Sequence, residues 1–251
     1  MTRTMPPLLE VEQISVNFED GAESLHALSE VSFTLHDQEF LSVLGPSGSG
    51  KSTLLRVIAG LVPPTLGKVQ FTHNNSQPRI GLVFQQANLM PWRTVIENVL
   101  LPLELQGVAP EVALERAKEF ASLVGLEDFL NAWPDELSGG MAQRVAIARA
   151  LIQEPDILLL DEPFGSLDAL TRERMGSELL RIWQSSQTAV ILVTHSISEA
   201  LLLSDRILVL SPRPGKITLD LPVPLLRPRT DEIRYSPGFL ALEKQLRQSL
   251  K

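Results

Sequence analysis

Gly45-Pro46-Ser47-Gly48-Ser49-Gly50-Lys51-Ser52 is the stretch on which the reading turns. Glycine, four residues, glycine, lysine and a hydroxyl form the pattern of a phosphate-binding loop. The glycines let backbone amides curl around phosphate oxygens. A helix after the loop adds the positive end of its dipole. In this pattern Lys51 reaches the β and γ phosphates and Ser52 ligates Mg²⁺. The flanks supply the required context. Phe40 to Leu44 is an apolar run predicted as a buried strand, and 54–61 is predicted as a helix that Pro63-Pro64 stops.

Working outward, 9–18 and 31–35 read as strands from their alternation, with a turn near Gly21. Residues 69–71 and 80–84 are further strands, separated by the polar turn 73–78. Between 88 and 150 the character becomes helical. Segments 94–101 and 110–124 are expected helices, with Val112, Leu114, Ala117, Phe120, Ala121 and Val124 near helical spacing in the second. Residues 157–160 and 189–193 are unbroken apolar strands, the pattern of a sheet covered on both faces. Helices 168–184 and 196–203 lie between and after them, strands 207–210 and 217–221 follow, and a helix over 237–250 closes the chain. Alternating strands and helices predict an α/β layered core.

The strand 157–160 runs straight into Asp161-Glu162. After a phosphate loop, such an acidic strand end gains meaning. Asp161 is placed to hold hydrated Mg²⁺. Glu162 is placed to polarise an attacking water. Hydrolysis then requires only water in line with the γ phosphate and stabilised charge, with no enzyme nucleophile.

Composition sets limits. The net charge of −8 opposes broad nucleic-acid binding, which needs cations to neutralise phosphates. With no cysteine, disulfides and thiolate metal sites are impossible. The first nine residues lack the basic-then-apolar layout of a secretion signal, and the longest apolar runs are far too short for a bilayer. A membrane role would be exercised from outside the hydrocarbon.

Leu137-Ser138-Gly139-Gly140-Met141-Ala142-Gln143-Arg144 lies just upstream of the acidic strand. Ser138 is suited to cap a helix over 140–151, and the glycines leave its amides open to an anion. With the loop and the acidic strand in this order, residues 9–221 resemble the ATP-binding cassette (ABC) family of transport ATPases. The resemblance implies a P-loop NTPase with a RecA-like core sheet, an N-terminal antiparallel β subdomain and a helical subdomain inserted at about 88–150. Residues 1–221 would form this nucleotide-binding domain, and 222–251 a C-terminal extension with its closing helix.

It also implies two chains sandwiching two ATP molecules head to tail. Each site would take Gly45, Pro46, Ser47, Gly48, Ser49, Gly50, Lys51, Ser52, Thr53, Asp161 and Glu162 from one chain and Ser138, Gly139 and Gly140 from its partner. Gln85 corresponds to the glutamine that touches Mg²⁺ and the attacking water, with Gln86 beside it as the alternative. Ser166-Leu167-Asp168 corresponds to the loop that links the two sites. His195 corresponds to the switch histidine that senses the γ phosphate. Phe18 matches the aromatic that stacks on adenine, a core role being its alternative. Glu162, His195 and Gln85 are thus the expected catalytic residues, and Ser52, Gln85 and Asp161 the expected Mg²⁺ ligands.

Four stretches resemble bacterial import ATPases of the nitrate, sulfonate and taurine group: Leu89-Met90-Pro91-Trp92-Arg93, Asp161-Glu162-Pro163-Phe164, Ser196-Ile197-Ser198-Glu199-Ala200 and Ser211-Pro212-Arg213-Pro214-Gly215-Lys216-Ile217. The short polar region 72–79 departs from that group. The resemblance implies membrane permease subunits, with Met90, Trp92 and Leu103 as apolar contacts for them. It further implies a separate substrate-binding protein and a place at the cytoplasmic face of the inner membrane. The competing reading is a non-transport cassette acting on a soluble complex. The guanine-reading Asn-Lys-x-Asp motif of a GTPase is absent.

Overall fold

The computed structural model describes residues 7–20, 23–72, 78–165, 167–184, 186 and 188–250. The expected turns at Gly21 and 73–77 lie outside them. In chain order the elements are β1 (Leu9–Asp20), β2 (Glu23–Leu35), β3 (Phe40–Leu44), α1 (Lys51–Ile58), β4 (Leu66–Phe71), β5 (Ile80–Val83), α2 (Val95–Leu105), α3 (Pro110–Leu123) and α4 (Gly139–Leu151). There follow β6 (Ile157–Asp161), α5 (Ala169–Gln184), β7 (Ala189–Thr194), α6 (Ile197–Leu203), β8 (Arg206–Leu210), β9 (Ile217–Pro222) and α7 (Pro237–Ser249). Two compact units result, one from Met1–Pro78 with Ala189–Lys251, the other from Arg79–Thr188.

In the first unit, β1 pairs antiparallel with both β2 and β4. The ladder bulges at Gln13 and Glu30, which both have left-handed backbone. Serine hydroxyls repair it: Gln13 N–H donates to Ser32 Oγ at 2.8 Å and Glu30 N–H to Ser15 Oγ at 3.0 Å. β2 begins eight residues before its alternating stretch, because residues 23–30, which mix polar and apolar side chains, pair with the outer half of β1. A second sheet portion runs β7-β3-β8 in parallel, with β9 antiparallel to β8. β3 and β7 are buried along their whole length, which explains their unbroken apolar sequence. Helix α1 starts at Lys51, earlier than its apolar pattern, and stops at Gly60, whose φ of 71° caps it.

The C-terminal extension belongs to this unit's core. Phe239 and Leu246 of α7 pack with Leu44, Leu201, Val209 and Val223. Arg229 is buried beneath them, donating to the carbonyls of Leu201, Ser204, Val223 and Leu225 at 2.6–3.1 Å.

In the second unit β5 and β6 pair in parallel, and α2 packs on α3 and α4. Thr94 caps α2 in a reciprocal box with Glu97. The buried stripe of α3 is Ala113, Ala117 and Ala121, whereas Val112 and Leu114 are exposed. Small side chains, not the larger apolar ones, set the close helix spacing. Ala117→Leu is therefore expected to overpack this seam and cost about 2 kcal/mol. An unchanged urea midpoint would contradict that.

Candidate functional site

The phosphate loop leaves β3 at Leu44 and enters α1. Gly48 and Gly50 have φ of 78° and 92°, open only to glycine without strain. Lys51 is buried and its Nζ donates to the carbonyls of Gly45 and Pro46, both at 3.0 Å. The ammonium is thus held over the loop while the first amides of α1 remain at the helix start. Ser52 and Thr53 lie half-buried in the first turn. Leu44 is in register with Thr194 of the neighbouring parallel strand, so His195 emerges at the same end as the loop. His195 is exposed, and Ser196 after it caps α6 by accepting from Glu199 N–H at 3.3 Å. Phe18 is 40% exposed on β1 opposite Leu25, so it is no core residue.

The second unit carries the acidic strand end. Asp161 closes β6 and is buried; Glu162 follows with φ of 44°. A non-glycine residue in the left-handed region costs about 1 kcal/mol, and such outliers cluster at functional sites. Gln85 Nε2 and Glu162 Oε2 each lie 3.6 Å from the point that a Cβ on Gly165 would occupy. The Gln85 side-chain amide and the Glu162 carboxylate thus both lie beside the Gly165 turn.

Ser138 caps α4, accepting from Met141 N–H at 3.3 Å. Ser138 and Gly139 are exposed and Gly140 is buried. A Cβ on Gly140 would meet Thr171 Cγ2 at 3.2 Å, so the glycine lets the α4 start approach the α5 start. There Asp168 is exposed and caps α5, accepting from Thr171 N–H at 3.0 Å. Arg172 braces the preceding turn through the carbonyls of Phe164 and Leu167. Ser166 lies outside the described residues.

Three positioning side chains escaped the sequence reading. Gln143 Nε2 donates to Phe84 O at 3.2 Å, and Arg149 donates to Ala87 O and Asn88 O at 2.7 and 3.0 Å. Helix α4 therefore grips the chain on both sides of Gln85. Burial holds the Arg149 guanidinium below its ordinary pKa. Asn98 is fully buried; it accepts from Met90 N–H and donates to the carbonyls of Met90, Arg93 and Thr94 at 2.7–3.2 Å. An asparagine inside an otherwise apolar helix face was the one available signal. It pins the segment that presents Trp92, which is 70% exposed. Leu103, expected beside Trp92 as a surface contact, is instead buried at 2%. It faces the inner side of α2, where apolar area is removed from water.

The loop is chemically fitted to a polyphosphate: left-handed glycines, a helix start and a held ammonium converge on residues 45–53. Ser52 in the first unit, and Gln85 and Asp161 in the second, each carry an oxygen of the hard kind that Mg²⁺ takes. A Mg²⁺ held there would supply positive charge against that developing on the phosphates.

A family model described as ABC transporter matches residues 28–165. The chain is 45% identical to a taurine import ATP-binding protein of Pelagibacter ubique, over 89% of this chain and 87% of that protein. It is 51% identical to an aliphatic sulfonates import ATP-binding protein of Pseudomonas fluorescens, over 84% and 76% of the two. It is also similar to a solved dimeric ATP-binding cassette, in a post-hydrolysis state bound to ADP and phosphate. That match has a TM-score of 0.76 and 35% identity, over 87% of this chain and all of that one. Among the described residues no helix is long and apolar enough to cross a membrane.

Proposed function

Since the chain belongs to the ATP-binding cassette transporter family as an ATP-binding, ATP-hydrolysing subunit, we propose that it powers import of a solute of the nitrate, sulfonate and taurine group. It acts as a head-to-tail dimer on membrane permease subunits supplied by a separate binding protein, from the cytoplasmic face. Residues 45–53 hold the phosphates, with Lys51 on the β and γ groups. Ser52, Asp161 and Gln85 hold Mg²⁺. Glu162 orients and polarises water, His195 senses the γ phosphate, and Phe18 stacks on adenine. Ser138, Gly139 and Gly140 serve the partner's ATP, and Asp168 links the sites. Met90 and Trp92 face the permease. The taurine and sulfonate relatives support the substrate class.

One observation carries the dimer. A single chain holds two anion-ready helix starts, and the second, at Ser138 and Gly139, is exposed. Complementation tests it. Lys51→Ala and Ser138→Arg chains are each expected to lose ATP turnover. Mixed, they should regain part of it, because a head-to-tail pair then keeps one site with both parts intact. A mixture as inactive as either parent would refute the shared site.

A further inference from the structure

The stretch Ser211-Pro212-Arg213-Pro214-Gly215-Lys216 has no part in the function above. We propose that residues 211–216 brace the phosphate loop, with Arg213 and Gly215 as positioning residues for ATP. This rests on the reading of residues 45–53 as the phosphate site.

The brace is self-contained. Ser211 N–H donates to Lys216 O at 2.9 Å, and Lys216 N–H donates back to Ser211 Oγ at 3.0 Å. Gly215 is tied to β2 on both sides: its N–H donates to Ala27 O and its carbonyl accepts from Ser29 N–H, each at 3.0 Å. A Cβ on Gly215 would lie 2.1 Å from the Ser49 carbonyl oxygen and 3.2 Å from Leu28 Cδ2. A Cβ on Gly50 would lie 2.6 Å from the same Leu28 atom and 2.7 Å from Ala27 O. Strand β2, the brace and the loop thus meet where neither glycine tolerates a side chain. A side chain at 215 pushes on Ser49-Gly50, the peptide that leads into Lys51.

Arg213 supplies the polar half. Its Nε donates to Gly48 O at 3.4 Å. The same peptide unit donates from its other end, Ser49 N–H to Pro46 O at 3.2 Å. The Gly48-Ser49 peptide is therefore held at both ends, at a glycine whose φ of 78° leaves it free to flip otherwise. A flipped peptide turns a carbonyl toward phosphate, where it repels. Both contacts act on the loop's shape, so their loss falls on ATP binding and not on the bond-breaking step.

ATP binding by calorimetry and steady-state turnover on the whole chain test this. Arg213→Ala is expected to raise the Kd for Mg-ATP about three- to tenfold, the range of one ordinary hydrogen bond, since this contact is exposed and 3.4 Å long. Maximal turnover and the unfolding temperature should stay at wild-type levels, and Arg213→Lys should recover part of the affinity. Gly215→Ala should weaken binding further; if it does not fold, the Arg213 pair decides. A wild-type Kd in Arg213→Ala, or a lower kcat at unchanged Kd, overturns the brace. Lys51→Ala separates the two readings. Unchanged ATP affinity in that variant removes the phosphate site itself, whereas lost affinity there with normal Arg213→Ala binding removes only the brace.

Discussion

Glu162→Gln should lower ATP turnover about a thousandfold while ATP still binds, the span expected when a general base is lost. The substitution keeps the shape of the side chain and its capacity to hydrogen-bond, but removes the basic oxygen that draws a proton from water. Its position supports the size of the effect. Glu162 sits directly after the buried β6, with a left-handed backbone and Gln85 as neighbour across Gly165. Because ATP is held and not spent, the dimer should accumulate with ATP. Gel filtration with Mg-ATP would show a doubled mass, and membrane pull-down of the same form would retrieve the permease. Turnover within tenfold of wild type would take the base role from Glu162. Recovery of soluble partners alone would favour the non-transport cassette.

Arg229→Leu should destabilise the fold by about 4 kcal/mol, because the carbonyls that Arg229 serves lose charged donors inside the core. Five backbone carbonyls, those of Leu201, Leu202, Ser204, Val223 and Leu225, converge on one guanidinium. At this chain length the melting temperature should fall by roughly 10 °C. Arg229→Lys should recover little, since an ammonium cannot match the planar fork. A melting temperature within 2 °C of wild type would sink the prediction, with roughly 1 kcal/mol the most such a shift allows. Burial, joined by the like charge of Arg227 and opposed by Asp205, brings this guanidinium down to about 10. The folded value lies below the unfolded one. Stability through this group therefore rises only above about pH 10, where the folded chain gives up the proton that the unfolded chain still keeps. Near neutrality both states are charged and it adds no pH dependence.

The parts of the chain that were legible from sequence are those whose signal is local. Residues 45–52 require left-handed glycines wherever they occur, and β6 and β7 announce burial by unbroken apolar runs. What escaped depends on distant partners. The first half of β2 lacks a clean alternation, and its pairing with β1 is what makes it a strand. On α3 the expected Ala117, Ala121 and Val124 are buried, but Val112 and Leu114 are exposed, because apolar size alone does not tell which side of the small-residue stripe meets its neighbours. Arg229, Arg149 and Gln143 serve carbonyls far along the chain, and nothing in their neighbourhoods marks them as buried. In the site, roles came from motif order, but the hold of α4 on the chain around Gln85 appeared only in three dimensions.

Asn98 has a consequence for association. The four hydrogen bonds it makes fix the backbone from Met90 to Thr94 before anything arrives. A mobile loop would surrender its freedom on docking, at about 1 kcal/mol or more per residue immobilised. Here that entropy has already been given up during folding. Trp92 therefore meets any partner from a backbone already ordered, and only its own side-chain freedom remains to be lost on docking.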